Sequence, residues 1–123
     1  MKQNELMSQS FVFAKHIILT VRDMEKRRIE LALRDQLLRC GTSIGANITE
    51  AQHAQSTRDF VSKLEIAQKE SFECLYWLRL LADLGDISAP TADRLISECA
   101  SLRNMLSAAI LTVKSNPNPS DHL

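Results

Sequence analysis

Little in this chain can stop a helix. Among 123 residues there are three glycines and three prolines, and Pro117 and Pro119 both lie close to the C-terminus. Within a helix a glycine costs about 1 kcal/mol and a proline about 3 kcal/mol relative to alanine, so such scarcity favours long uninterrupted helices. Apolar residues recur at three- and four-residue intervals, the period of a helix that buries one face.

Four segments follow. The first is expected over Met7 to Met24, with Met7, Ser10, Ala14, Ile17, Val21 and Met24 inward. Phe11, Val12 and Leu19 fall on the arc where a lone bundle prefers charge, which points to a second buried surface. The turn over Glu25 to Arg28 has neither Gly nor Pro. The second segment is expected from Ile29 to Ala54, with Leu33, Leu37, Ile44 and Ile48 inward. Gly41 and Gly45 weaken it, and a packing gain from close approach of another backbone is the expected compensation. The segment GTSIG lacks the Gly-Lys-Ser/Thr of a phosphate loop and follows helix instead of strand.

The third helix opens at Ser56 with Asp59 three residues on, a carboxylate form of the capping box. Its stripe is Phe60, Leu64, Ala67, Ser71, Cys74, Leu78 and Leu81, and Gly85 supplies a left-handed stop. Ser88-Ala89-Pro90 starts the fourth helix, expected over 89–114 with Leu95, Leu102, Leu106, Ala109 and Val113 inward. Residues 115–123 lack periodicity and are expected to be disordered. Short connections between long helices specify an all-α, antiparallel up-down four-helix bundle over residues 1–114, without internal repeats or a second domain.

Fifteen basic and fifteen acidic side chains cancel, so the whole chain lacks the footprint of a dedicated nucleic-acid binder. Its charge is uneven. Residues 1–40 carry eight basic and five acidic groups, with a concentration at Lys26, Arg27, Arg28 and Arg34 that makes a candidate nucleic-acid patch or a solvated turn. Cys40, Cys74 and Cys99 are odd in number and lie inside helical patterns, so they read as small buried hydrophobes in a reducing cytoplasm. No stretch has the length of apolar sequence that spans a membrane.

From Gln36 to Trp77 a polar row runs beside the core. Gln36, Ser43, Asn47 and Glu50 share one edge of helix 2, while Asp59, Lys63, Glu70 and Trp77 flank the stripe of helix 3. Polar groups so near a core need partners, since an unpaired one costs on the order of several kcal/mol, so the two rows are expected to face each other. Arg39 is the expected forked donor, Asp59, Glu50 and Glu70 acceptors, and Lys63 a bridging cation. Catalytic readings fail on spacing. His16, His53 and His122 are far apart, no metal-binding pair is present, and Cys40 and His53 sit about 20 Å apart along one helix. No cofactor or small-molecule substrate is expected. Glu70 and Glu73 are better partners for Lys63, Lys69 or Arg39 than an acid/base pair.

The segments QLLRCGTSIGANITEA and STRDFVSKLEIAQKESFECLYWLRLL resemble the four-helix-bundle family typified by proteins encoded in intervening sequences of bacterial 23S ribosomal RNA genes. Arg39, Thr42, Ser43, Ile44, Ala46, Asn47 and Glu50 match its helix 2 signature; Asp59, Phe60, Lys63, Ala67, Glu70 and Trp77 match its helix 3 signature. Cys40 departs from a more usual serine or alanine, and Gln52-His53 from a glycine-containing segment. The resemblance implies a cytoplasmic, non-enzymatic homopentamer, with accessory proteins of diversity-generating retroelements among its relatives. Those relatives bind nucleic acid and are strongly basic, whereas this chain is neutral. The expectation is therefore a homo-oligomeric scaffold or adaptor, with RNA or DNA binding by a ring-repeated basic patch as the alternative.

Overall fold

Helix is the dominant conformation in the computed structural model, which describes residues 3–115. The order is α1 (Gln3–Lys26), α2 (Leu31–Ala51), α3 (Thr57–Asp83) and α4 (Ala89–Ser115). Each helix packs on its sequence neighbours, and α1 closes the bundle against α4 along the loosest seam. This is the expected all-α, up-down four-helix bundle. The tail expected to be disordered lies, beyond Ser115, outside the described residues.

The core stripes of α3 and α4 follow the sequence pattern closely. On α3 every expected inward residue is buried, with Leu75 added; on α4, Ala92, Cys99 and Ile110 join the stripe and Ala109 is half-buried. The stripe of α1 differs. Leu6, Ser10, Phe13, Ile17, Val21 and Met24 are buried, whereas Met7 and Ala14 are only half-buried. Helix α1 carries apolar side chains on two arcs, so the periodicity alone admits two rotations of the helix. Phe13, the largest fully buried side chain, selects the observed one. The buried hydroxyls of Ser10, Thr20 and Ser71 donate to the carbonyls of Met7, His16 and Gln68 on their own helices, so none is left unsatisfied.

Helix α2 is shorter at both ends than its pattern suggested. Ile29 is held outside it because its N–H donates to Met24 O while Arg28 N–H donates to Glu25 O, a paired closure of the α1 C-terminus. The closure places Arg28 at φ 63°, a left-handed conformation usually filled by glycine. Gly85 occupies the equivalent position after α3 at φ 79°, with Asp86 and Gly85 N–H groups on Leu81 O and Ala82 O. At its other end α2 unwinds through tight turns at Gln52, His53 and Ala54. Ser56 then caps α3, its Oγ accepting from Asp59 N–H at 3.0 Å, while the Asp59 carboxylate accepts from Gln55 N–H at 3.4 Å.

Glycine at position 41 is a packing requirement. A Cβ there would lie 2.7 and 2.8 Å from the Cγ1 and Cγ2 atoms of Ile17, so its absence is what lets α1 approach α2. The core also gathers three buried, free thiols from three helices, Cys40, Cys74 and Cys99. The Cys40 and Cys99 thiols beside Cys74, together with burial, push the Cys74 thiol far above its ordinary value. It stays protonated.

Candidate assembly site

Antiparallel packing of α2 on α3 brings Arg39 opposite Glu70 and Glu73, and Glu50 opposite Lys63. The Arg39 guanidinium forks across two carboxylates one helical turn apart, with Nη1 3.1 Å from Glu70 Oε1 and Nη2 on Glu73 Oε2. Trp77 Nε1 donates to the same Glu73 oxygen at 3.3 Å. Eleven residues further along α2, about 16 Å by helical rise, Lys63 Nζ lies 3.1 Å from Glu50 Oε1. Hydrogen bonds from Arg39 and, secondarily, Trp77 hold the Glu73 carboxyl below its ordinary value, and Glu73 in turn raises the Arg39 guanidinium.

Between these two pairs the row looks inward to its own helix. Ser43 Oγ donates to Arg39 O at 2.6 Å and Asn47 Nδ2 to Ser43 O at 2.8 Å, so neither side chain crosses to α3. Gln36 is exposed and makes no side-chain hydrogen bond among the described residues. Lys63 pairs with Glu50 and does not bridge to Asp59 or Glu70 among those residues; Asp59 serves the start of α3 instead. The seam is thus completed within one chain. It fixes how α2 lies on α3, and its Arg39 and Glu50 side chains stay 48% and 60% exposed.

The four residues of the basic turn are not brought together as free cations. Arg27 Nε donates to Asp23 Oδ2 at 3.0 Å and its Nη2 to Asp86 O. Arg34 donates from Nε to Ile29 O at 2.9 Å, and its side chain is 18% exposed. Arg34 closes the turn on itself, with Glu25 also 3.9 Å from its guanidinium, while Arg27 ties the turn to the α3–α4 connection. Lys26 and Arg28 remain exposed and without an ion pair among the described residues.

Phe11 and Val12, expected to belong to a second surface of helix 1, line a groove on the outside of α1 and α2 whose α2 wall was not foreseen. It has a volume of about 890 Å³ and is lined by Met7, Phe11, Ala14, Thr42, Ala46 and Thr49, among others. Phe11 is 68% exposed, with Lys15 Nζ 5.9 Å from its ring centroid. The signal was present in the composition: from Cys40 to Thr49 there are ten consecutive residues without a charge, although 24% of the chain is charged. On a helix with one face in solvent, that gap leaves an outer surface with few charged side chains.

The α1–α4 seam carries a separate polar cleft of about 510 Å³ lined by His16, Thr20, Asp23, Arg27, Ser88 and Arg94 among others. There His16 Nδ1 lies 2.9 and 3.1 Å from the two Glu98 carboxylate oxygens. Among the described residues no group of three or more His, Cys, Asp or Glu is placed to hold a metal ion, and no helix is long and apolar enough to cross a membrane.

Comparison with known proteins agrees with this architecture. A solved protein of unknown function from the S23 ribosomal protein family of Bacteroides thetaiotaomicron VPI-5482 superposes with a TM-score of 0.86 at 37% identity, over 89% of this chain and 98% of that one. No curated protein matches the sequence. The family model described as 23S rRNA-intervening sequence protein matches residues 2–108, and the chain belongs to that family.

Proposed function

We propose that this chain is a non-enzymatic scaffold or adaptor of the cytoplasm that works as a homo-oligomer, a pentamer by family resemblance. The observation that carries the reading is the outer groove of α1 and α2, lined by small and apolar side chains with Glu50 as the one charged member among its lining residues, and with Phe11 standing in solvent when the chain is alone. Apolar surface concentrated in this way on a small bundle is covered by a partner more often than left wet. The seam of Arg39, Glu70, Glu73, Lys63 and Glu50 holds α2 in place beneath that groove. Exposed pairs of this kind each contribute below about 1 kcal/mol, so their value lies in orientation. Light scattering or native mass spectrometry at micromolar concentration tests it: a multiple of 13.9 kDa is expected, and a monomer alone sinks the reading.

Nucleic-acid binding is the second reading, and Arg28 is what favours it. Arg28 holds a left-handed backbone that a glycine would adopt without cost, and its charge makes no ion pair among the described residues, nor does that of neighbouring Lys26. Five copies in a ring would multiply a weak contact. Arg28→Gly separates the two roles of this residue. It should raise stability by about 0.5–1 kcal/mol by relaxing the backbone, while weakening RNA or DNA binding and its salt dependence. If neither nucleic acid binds the wild-type protein at about 50 mM salt, this reading is lost.

A further inference from the structure

The outside of α3 and α4, on the side of the bundle away from the α1–α2 groove, joins two bare aromatic rings to a set of cations. Phe72 and Tyr76 stand one turn apart on α3, 55% and 59% exposed. Trp77 braces Tyr76 edge-on, with ring centroids 5.1 Å apart. Arg103 reaches across from α4 and sets its guanidinium 5.5 Å from the Phe72 ring centroid. Lys69 and Arg79 lie one turn to either side of the two rings on the same face of α3, both exposed. None of these three cations makes an ion pair among the described residues. The acids nearby are few. Glu65 is paired with Lys114 at 2.8 Å, Glu73 beside Lys69 is held by Arg39, and Asp83 stands exposed one turn past Arg79. From Cys99 to Ser115, α4 carries Arg103 and Lys114 and no acidic residue. A chain without net charge thus gathers positive charge around its exposed rings.

We infer that this face binds single-stranded nucleic acid, with bases stacked on Phe72 and Tyr76 and phosphates following Lys69, Arg103 and Arg79. The site is separate from the turn at Lys26 and Arg28 and shares with that second reading only the nucleic-acid class of the partner. Strand state follows from the rings. A duplex keeps its base faces inside the stack, so only an unpaired strand can lay bases on both side chains. Four residues of helix set the two positions about 6 Å apart along the axis, against a rise of roughly 3.4 Å for a stacked base, so each ring can take a base of its own. Arg103 serves twice, since a guanidinium held against a ring offers its own plane to a base and its charge to a phosphate. Stacking of this kind accepts every base, so the face is expected to bind with little regard to sequence.

Fluorescence anisotropy with labelled RNA and DNA strands of about a dozen nucleotides, and with the matching duplexes, tests the site at about 50 mM salt. The wild-type protein should bind the single strands more tightly than the duplexes. Phe72→Ala and Tyr76→Ala, both at exposed positions, should each weaken binding about 5- to 100-fold with unchanged helix content and mass, while Phe72→Trp keeps it. Arg103→Gln should weaken binding and flatten its dependence on salt. Lys26→Gln combined with Arg28→Gly should leave single-strand affinity close to that of the wild type. Single-strand binding that survives both ring substitutions overturns the inference, and if it is lost in the Lys26 and Arg28 variant the second reading alone stands. Tighter binding of the duplexes overturns it as well. Displacement of the strand by an equal charge of polyglutamate overturns it in favour of an acidic protein segment. Failure of every nucleic acid to bind removes this inference and the second reading together, and leaves the scaffold reading untouched.

Discussion

Two glycines four residues apart on α2 show how differently the same residue can matter. At Gly41 an added Cβ meets the branched carbons of Ile17 at 2.7 and 2.8 Å, and Ile17 is fully buried with a stiff χ1. It cannot swing away, so α1 has to move. At Gly45 the nearest atom is Ser10 Oγ at 3.2 Å, a hydroxyl that can rotate at the cost of its bond to Met7 O. Overpacking of the first kind costs about 1–3 kcal/mol, against a helix gain of about 1 kcal/mol for alanine over glycine. Gly41→Ala is therefore expected to lose up to about 2 kcal/mol and Gly45→Ala to stay near the wild type or gain slightly, as read from urea midpoints at constant slope. Equal effects would mean that the close approach of α1 is not what keeps glycine at position 41. The sequence announced that some packing gain offsets these glycines. It could not say which neighbour each one faces, because that depends on the rotation of α1.

At the scale of elements, what was legible depended on whether one apolar arc of a helix stands out as the inward one. Helix α3 keeps an unbroken inward stripe although Ile66, Phe72 and Tyr76 are exposed on its outer side, so its inward residues are readable directly. Helix α1 buries Leu6 and Phe13 while presenting Phe11, Val12 and Leu19 to solvent, so hydrophobicity alone could not distinguish core from outer face. The α2–α3 seam was legible in its composition and only partly in its pairing. Arg39 does meet Glu70, but the selection of Glu73 as its second partner and of Glu50 for Lys63 follows from the antiparallel register, which no single helix encodes. This seam has a measurable pH signature. The Glu73 carboxyl lies below its ordinary value when folded, so its contribution is complete above the unfolded value near 4.5 and is lost as pH falls through the lowered one. The stability difference between wild type and Glu73→Gln should stay constant from pH 7 to about 6 and shrink below about pH 4.5, with a plateau under about 1 kcal/mol for so exposed a pair. Trp77, the one tryptophan, bonds to Glu73 and reports on the transition by fluorescence. A difference that grows on acidification would contradict the assignment.

The whole bundle is held by a core to which all four helices contribute, and its three thiols make that cooperativity measurable. Cys40 of α2, Cys74 of α3 and Cys99 of α4 are all fully buried, with Cys99 Sγ donating to Ser71 O on α3 at 3.4 Å. No single helix end can fray far enough to expose them together. Cys74, held protonated by its two neighbours and by burial, offers no thiolate to a reagent while the bundle is closed. The α1–α4 seam is the loosest, so local opening is expected there first, and separation of α1 from α4 leaves the α2, α3 and α4 thiols packed on one another. Labelling should therefore require parting of the helices that carry the thiols, which amounts to unfolding the domain. For a domain with ordinary stability of about 5–15 kcal/mol, modification by a disulfide reagent should be slower than that of a free thiol by at least about 10³-fold. Mass spectrometry during the reaction should show unmodified and triply modified chains with little between them, and urea should accelerate the rate in parallel with the unfolded fraction. Accumulation of a singly modified chain, labelled at Cys99 before the others, would instead show that α4 detaches on its own.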